Sequence, residues 1–260
     1  MTTKKQVSES TGGELALPQD WQAALAQQAA ASAANVRPTS STISLRSGIV
    51  SYQGIQAPDN KLDVVIIDFA QEHVLYRSKY DPDNVASPDC FALAPGSMPL
   101  DEITPADSVP NPEHTDCATC PMLKWGSSLS GGRGKACQQR YRLIAIPASA
   151  LQSADTVLAA EAAIVKLPVT SGKVWSQYIS TVAATVKRPE WAVVTTISAK
   201  PDPKTQFKAT FEVASLINFE DTPELYKALM DKKGLVQDAL MNGYDMSGDK
   251  PAPKEDSKYS

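Results

Sequence analysis

Cys117-Ala-Thr-Cys120-Pro-Met-Leu-Lys124-Trp125-Gly-Ser-Ser-Leu-Ser-Gly-Gly-Arg133-Gly-Lys135-Ala-Cys137 is the stretch on which the reading of the chain turns. It gathers a Cys-x-x-Cys pair, a third cysteine, a glycine-rich turn and several basic residues into one short loop. The only other cysteine is Cys90, so the spacing is C-x26-C-x2-C-x16-C. A tight Cys-x-x-Cys turn aims two sulfurs at one point, and four thiolates side by side need a dication to be stable. The pattern therefore predicts one tetrahedral metal site, with zinc (Zn2+) as the metal. Such a site contributes on the order of 10 kcal/mol to ordering a loop that has little apolar core of its own. Cys117, Cys120 and Cys137 supply three ligands. The fourth is Cys90 or, alternatively, His114, three residues before Cys117. Either choice fills all four positions, and a closed set is structural rather than catalytic.

Charge changes sign at this loop. From Asp81 to Asp116 there are eight acidic residues and no Lys or Arg, whereas from Pro121 to Arg142 there are five basic residues and no acid. The whole chain, 260 residues with a formal net charge of −4, gives no such signal. Its length suits one large domain or two small ones. No N-terminal run has the apolar length of a signal peptide or membrane helix, which predicts a cytoplasmic protein with reduced thiols and no membrane contact.

Working outward, residues 1–40 read as a polar tail followed by an alanine-rich helix over 18–34, with Trp21 and Leu25 one turn apart. Thr42–Tyr52 alternates as a half-buried strand with a bulge at Gly48. Leu62–Phe69 has the apolar run of a central strand, and His73–Tyr80 reads as a third strand beside it. Residues 81–116 are proline-rich and without periodicity, as in a functional or mobile loop. Tyr141–Ile146 and Ala162–Val169 read as strands. Ser171 then reads as the cap of a helix carrying Val174, Trp175, Tyr178, Ile179, Val182 and Val186 and ended by Pro189; Trp175 and Tyr178 are assigned to the core. Trp191–Ala199 and Phe207–Ile217 form a hairpin across Pro-Asp-Pro, and Thr222-Pro223 opens a last helix running to about Leu240. Residues 243–260 read as a disordered tail. The expected fold is α+β: one domain over 41–242 with a mixed, mostly antiparallel sheet that could take OB-like curvature, flanking helices, and a zinc insertion at 88–140.

Catalytic signals are few. The sequence has two histidines, His73 and His114, and contains no nucleophile elbow, P-loop, zinc-protease helix or dinucleotide fingerprint. The acids Asp81, Asp83 and Asp89 read as solvated loop surface. The chain is accordingly expected not to be an enzyme. The basic residues are more informative, because Lys124, Arg133, Lys135, Arg140 and Arg142 interleave with Trp125 and Tyr141. Cations that track phosphates and rings that stack on bases are what single-stranded nucleic acid binding requires. For Trp125 the competing assignment is a small core beneath the metal knuckle.

Tyr76-Arg-Ser-Lys-Tyr80-Asp-Pro-Asp-Asn84, Ser87-Pro-Asp-Cys90-Phe-Ala, Asp116-Cys-Ala-Thr-Cys-Pro121, Trp125-Gly-Ser and Gly132-Arg-Gly-Lys-Ala-Cys137 together resemble a group of small proteins encoded by tailed bacteriophages. The resemblance spans residues 41 to 217 and implies that Cys90, Cys117, Cys120 and Cys137 form one site. It also implies a single-stranded DNA-binding accessory role in replication, recombination or early transcription. In this the chain is similar to the zinc-containing single-strand binding proteins of large phages. One departure is the C-terminus: Asp245 to Ser260 holds four acids and three lysines, not a strongly acidic tail. The acidic 81–116 loop is the alternative competitor, lying over the basic face until DNA displaces it. The expected partners are thus single-stranded DNA and replication or transcription proteins. The alternative function is a zinc-loop interaction module docking on a polymerase or nuclease, with oligomerisation open in both cases.

Overall fold

The computed structural model describes residues 41–78, 86–203, 205–244 and 246, together with Leu25, Gln27 and Gln28. The chain divides into a unit of residues Met1–Thr39 and a unit of residues Ser40–Ser260. Of the helix expected at 18–34, only Leu25, Gln27 and Gln28 fall within the described residues; they are helical and exposed. The rest of that helix, the N-terminal tail and residues 247–260 lie outside them.

The architecture of the second unit follows from one strand. Strand β4, Lys61–Leu75, carries two apolar runs in a single length of 15 residues. The strand expected at 62–69 and the start of the one expected at 73–80 are therefore one strand ending at Leu75; residues 76–78 are not strand, and 79 and 80 lie outside the described residues. A bulge falls between Ile66 and Asp68. A bulge inserts one residue and so reverses which residues face which side. Before it, Val64 and Ile66 share a core with Trp175 while Val65 and Ile67 share the opposite one; after it, Phe69 joins the first and Ala70 the second.

Every β4 pairing is antiparallel. Strand β6, Cys137–Pro147, runs along one edge from Val64 to Leu75. The other edge is shared: strand β8, Val193–Asp202, pairs Lys61–Val64, and strand β5, Cys90–Pro95, pairs Ala70–Leu75. Strand β7, Ala163–Lys166, pairs β6, and strand β9, Gln206–Leu216, pairs β8. The sheet order is β7-β6-β4-β8-β9, with β5 on β4. A small sheet is built from β1 (Ile43–Ser44), β2 (Ser51–Tyr52) and β3 (Ile55–Gln56). The single bulged strand expected at 42–52 is instead broken by a tight turn at Arg46–Gly48, where Ser47 and Gly48 take positive φ. The mixed, mostly antiparallel α+β expectation holds, but both sheets are open and no barrel closes among the described residues.

Helices cover both faces. Helix α1, Ala154–Ala159, was not foreseen, although Ser153 and Thr156 cap it reciprocally. With helix α3, Pro223–Met241, it covers the face of Val65, Ile67 and Ile144. Helix α2, Gly172–Thr181, continues as a π turn over Val182–Val186 and covers the other face. Its Trp175 is fully buried and meets Phe69 and Phe211 edge-on, with centroids 5.3 and 5.1 Å apart. Tyr178 is also buried, so both aromatics belong to the core as expected. Ser171 precedes α2 but makes no side-chain cap; its buried Oγ accepts the Ala209 N–H at 3.1 Å and ties the helix start to β9. Thr222 likewise makes no side-chain cap on α3.

Two further expectations change. Of the loop expected at 81–116, residues 81–85 lie outside the described residues and 86–116 are not structureless, since Cys90–Pro95 forms β5 and both Ile103 and Val109 are buried. Residues after 242 are not wholly tail, because Tyr244 and Met246 pack on Val74, Phe91 and Val109. No helix of the described residues is long and apolar enough to cross a membrane.

Candidate functional site

The end of the sheet where β5, β4 and β6 run side by side carries the cysteines. Cys90 opens β5 and Cys137 opens β6, and both lie opposite Leu75, the last residue of β4. Residues in register project to the same face, with neighbouring strands about 4.8 Å apart. Cys90 and Cys137 thus flank Leu75 on one side of the sheet. The loop that follows β5 crosses this side. Cys117 is buried against Ala92, Ala94 and Ile103, and its N–H donates to the Ile103 carbonyl at 2.9 Å. Cys120 precedes a 3-10 turn at Pro121–Leu123. All four cysteines line one pocket, which His73 and His114 also line.

Asp116 holds the knuckle. Its carboxylate accepts the Thr119 N–H at 2.7 Å and lies 2.6 and 2.8 Å from the Thr119 hydroxyl, bridging the turn between Cys117 and Cys120. His114 is turned toward this carboxylate, with Nδ1 at 3.2 Å from Oδ2. His73 is nearly inaccessible, at 3% exposure. Burial and then the nearby Lys135 charge push its imidazole down to about 4.

Burial pushes the Cys117 and Cys137 thiols up to about 12, and the other cysteines of the pocket add to the rise. Thiols so close that each opposes the ionisation of the others are a poor resting state for bare thiolates. A soft dication reverses that balance, so the donor chemistry fits zinc. Among the described residues, however, no three His, Cys, Asp or Glu side chains stand as a ready-made metal-binding group.

Beyond the pocket, the glycine-rich turn projects into solvent. Ser127 clips its base: its Oγ lies 2.9 and 2.7 Å from the Met122 and Lys124 carbonyls and accepts the Ala136 N–H at 3.0 Å. Gly126, Gly131 and Gly132 take φ of +88°, +84° and +89°, which a side chain would strain. Flanking this base, Trp125 is 78% exposed, with Lys135 Nζ 5.3 Å from its ring centroid. The alternative in which Trp125 fills a core beneath the knuckle is therefore excluded. Leu129 is also exposed. Lys124 and Arg133 are exposed and make no ion pair among the described residues.

Three residues assigned to phosphate or base contact lie elsewhere. Arg142 is buried, at 3% exposure, and pairs with Glu72, which is itself fully buried. Its Nη1 donates to the carbonyls of Leu240, at 3.3 Å, and Asn242, at 2.5 Å. Arg140 pairs with the same carboxylate and donates to Tyr244 Oη at 2.7 Å; Tyr244 in turn donates to Glu72 at 3.0 Å. Burial alone would raise the Glu72 carboxyl, but Arg140 and Arg142 hold it below the usual carboxylate range. Tyr141 is half-buried on the opposite face, edge-on to Phe69 at 6.2 Å and 3.0 Å from Ser176 Oγ. The physical reason is the β4–β6 register, which sends Arg140 and Arg142 into one packed face beside Glu72 and Tyr141 into the other, rather than along a surface.

Sequence reasoning missed Glu72, Asp116, Gln139 and His73. A signal existed for Asp116, since an acid three residues before Thr119 is an Asx-turn pattern. Against known protein families, curated proteins and solved structures, the chain matches none.

Proposed function

We propose that the protein is a non-enzymatic, single-stranded DNA-binding accessory, of the kind tailed phages use in DNA replication, recombination or transcription, in which a structural zinc site at Cys90, Cys117, Cys120 and Cys137 stiffens a basic, aromatic loop. One observation carries the reading: a tryptophan 78% exposed at the base of a projecting loop, with a lysine ammonium over its ring and two cations in the same loop that make no ion pair among the described residues. A large apolar ring left in water beside a braced turn keeps most of its surface open for stacking. The interface is smaller than the sequence implied. Lys124, Arg133 and Lys135 would follow the phosphates and Trp125 would stack on a base, on a loop projecting from an open sheet rather than in a barrel groove.

Titration of a fluorescent single-stranded oligonucleotide at several salt concentrations tests this. Three phosphate contacts predict a slope of log K against log salt of about −2. Trp125→Ala should weaken binding by about 1–3 kcal/mol, the range for one stacked base. No binding at low salt would remove the reading. Exposure of Leu129 in the same loop favours the second reading, docking on a polymerase or nuclease. That reading predicts weak intrinsic DNA affinity and a stable complex with the partner, again lost in Trp125→Ala.

A further inference from the structure

His73 carries an unexplained donor. It lies on β4 two residues before Leu75, on the same face as Cys90 and Cys137, opposite Ala92 and Gln139. It lines the cysteine pocket, is buried to 3% exposure, and its Nδ1 has no hydrogen-bond partner. The proton on the ring can be placed from its neighbours. Lys135 Nζ donates to Gln139 Oε1 at 2.7 Å, which fixes the orientation of that amide. The amide Nε2 is then what faces His73 Nε2, at 3.4 Å. An amide NH2 can only donate, so His73 Nε2 accepts and the imidazole N–H sits on Nδ1. A buried N–H without an acceptor is costly, and a site lined by cysteines offers thiolate sulfur as the acceptor.

We propose that His73 is a positioning residue whose Nδ1–H donates to a thiolate of the bound metal, with the tautomer held by the Lys135–Gln139 relay. The inference rests on the reading of the pocket as a metal site. A hydrogen bond to a coordinating sulfur removes charge from a four-thiolate centre and orients the ligand, as outer partners of metal ligands do. The relay also ends at Lys135, the cation over Trp125, so the buried centre and the exposed ring share one chain of contacts.

The test is titration of the full-length, metal-free protein with Co2+ under reducing conditions, followed by the thiolate charge-transfer and d–d absorption and by competition with Zn2+. The wild type should bind one ion with a four-thiolate spectrum. His73→Phe should keep that spectrum and lose about 10- to 100-fold in affinity. His73→Gln, which retains an N–H donor, should recover part of the loss. Gln139→Leu, at a half-exposed position, leaves the ring in place but frees its tautomer and should also weaken binding. This second variant keeps the proposal testable if His73→Phe does not fold. Unchanged affinity in both His73→Phe and Gln139→Leu overturns the proposal while the metal reading stands. A spectrum that loses one ligand in His73→Phe also overturns it, making His73 a ligand. Absence of any Co2+ absorption in the wild type overturns the metal reading itself, and the proposal with it.

Discussion

Glu72 shows how one residue redirects the electrostatics of the whole sheet end. Its fully buried carboxylate faces Arg140 and Arg142 and accepts from Tyr244, while Lys166 Nζ sits 5.1 Å from the Tyr244 ring. Removing the negative charge leaves two guanidinium groups packed without a counter-ion. Glu72→Gln should therefore cost about 3–5 kcal/mol, the usual penalty for breaking a buried pair from one side, read as a lowered urea midpoint. The pH dependence has a definite sign. The folded carboxyl titrates below its ordinary 4.5, so its contribution is complete above that value and lost as pH falls through the lower folded value. Glu72→Gln should lack this acid-side loss. Arg140 and Arg142 were read as surface cations because a charge run in sequence gives no hint of what lies opposite across a strand pair. Glu72 is 68 and 70 residues away from them, and only the β4–β6 register brings the three together. Trp125 was a different case: its sequence neighbours left a stacking group and a small core as alternatives, and only its exposure decides between them.

At the scale of elements, the loop between β5 and β6 is braced rather than loose. Ile103 and Val109 are buried, the Ala106 N–H donates to the Phe91 carbonyl at 2.9 Å, and Glu113 pairs with Arg77. An acidic flap that swings off a basic face does not suit such a segment. Deletion of 97–112 should lower the melting temperature markedly, through loss of two buried side chains at roughly 2–4 kcal/mol each, rather than tighten DNA binding. Retained stability with tighter binding at low salt would restore the flap. Elements with strong local patterns were legible: the apolar run of β4, the helical spacing around Trp175, and the hairpin across Pro201-Asp202-Pro203. Strand β5 was not, because Cys-Phe-Ala-Leu-Ala-Pro sits among prolines and becomes a strand only by pairing with β4. The bulge at Ile66/Asp68 was hidden for the same reason, since continuous apolar residues on both sides mask a change of parity.

For the whole molecule, the sheet is a platform with two unlike faces at one end. One face buries the Glu72 cluster under the chain that follows α3, and the other carries the four cysteines beneath the loop with Trp125. Cys117, Cys120 and Cys137 were legible as a group from their spacing, whereas the residues alone left Cys90 and His114 as alternatives for the fourth place, and both line the pocket. The dependence of the grouping on Leu75, flanked by Cys90 and Cys137, was not legible, because that relation exists only in the strand register. The central claim is that one metal ion closes this pocket with Cys90 as a ligand and so sets the exposed loop. Elemental analysis of zinc in the full-length chain purified under reducing conditions, alongside Cys90→Ser, tests it most directly. The account predicts one zinc per wild-type chain and a substoichiometric, easily chelated remainder in Cys90→Ser. A wild-type chain without metal, or a Cys90→Ser chain that holds zinc as tightly as the wild type, would contradict it.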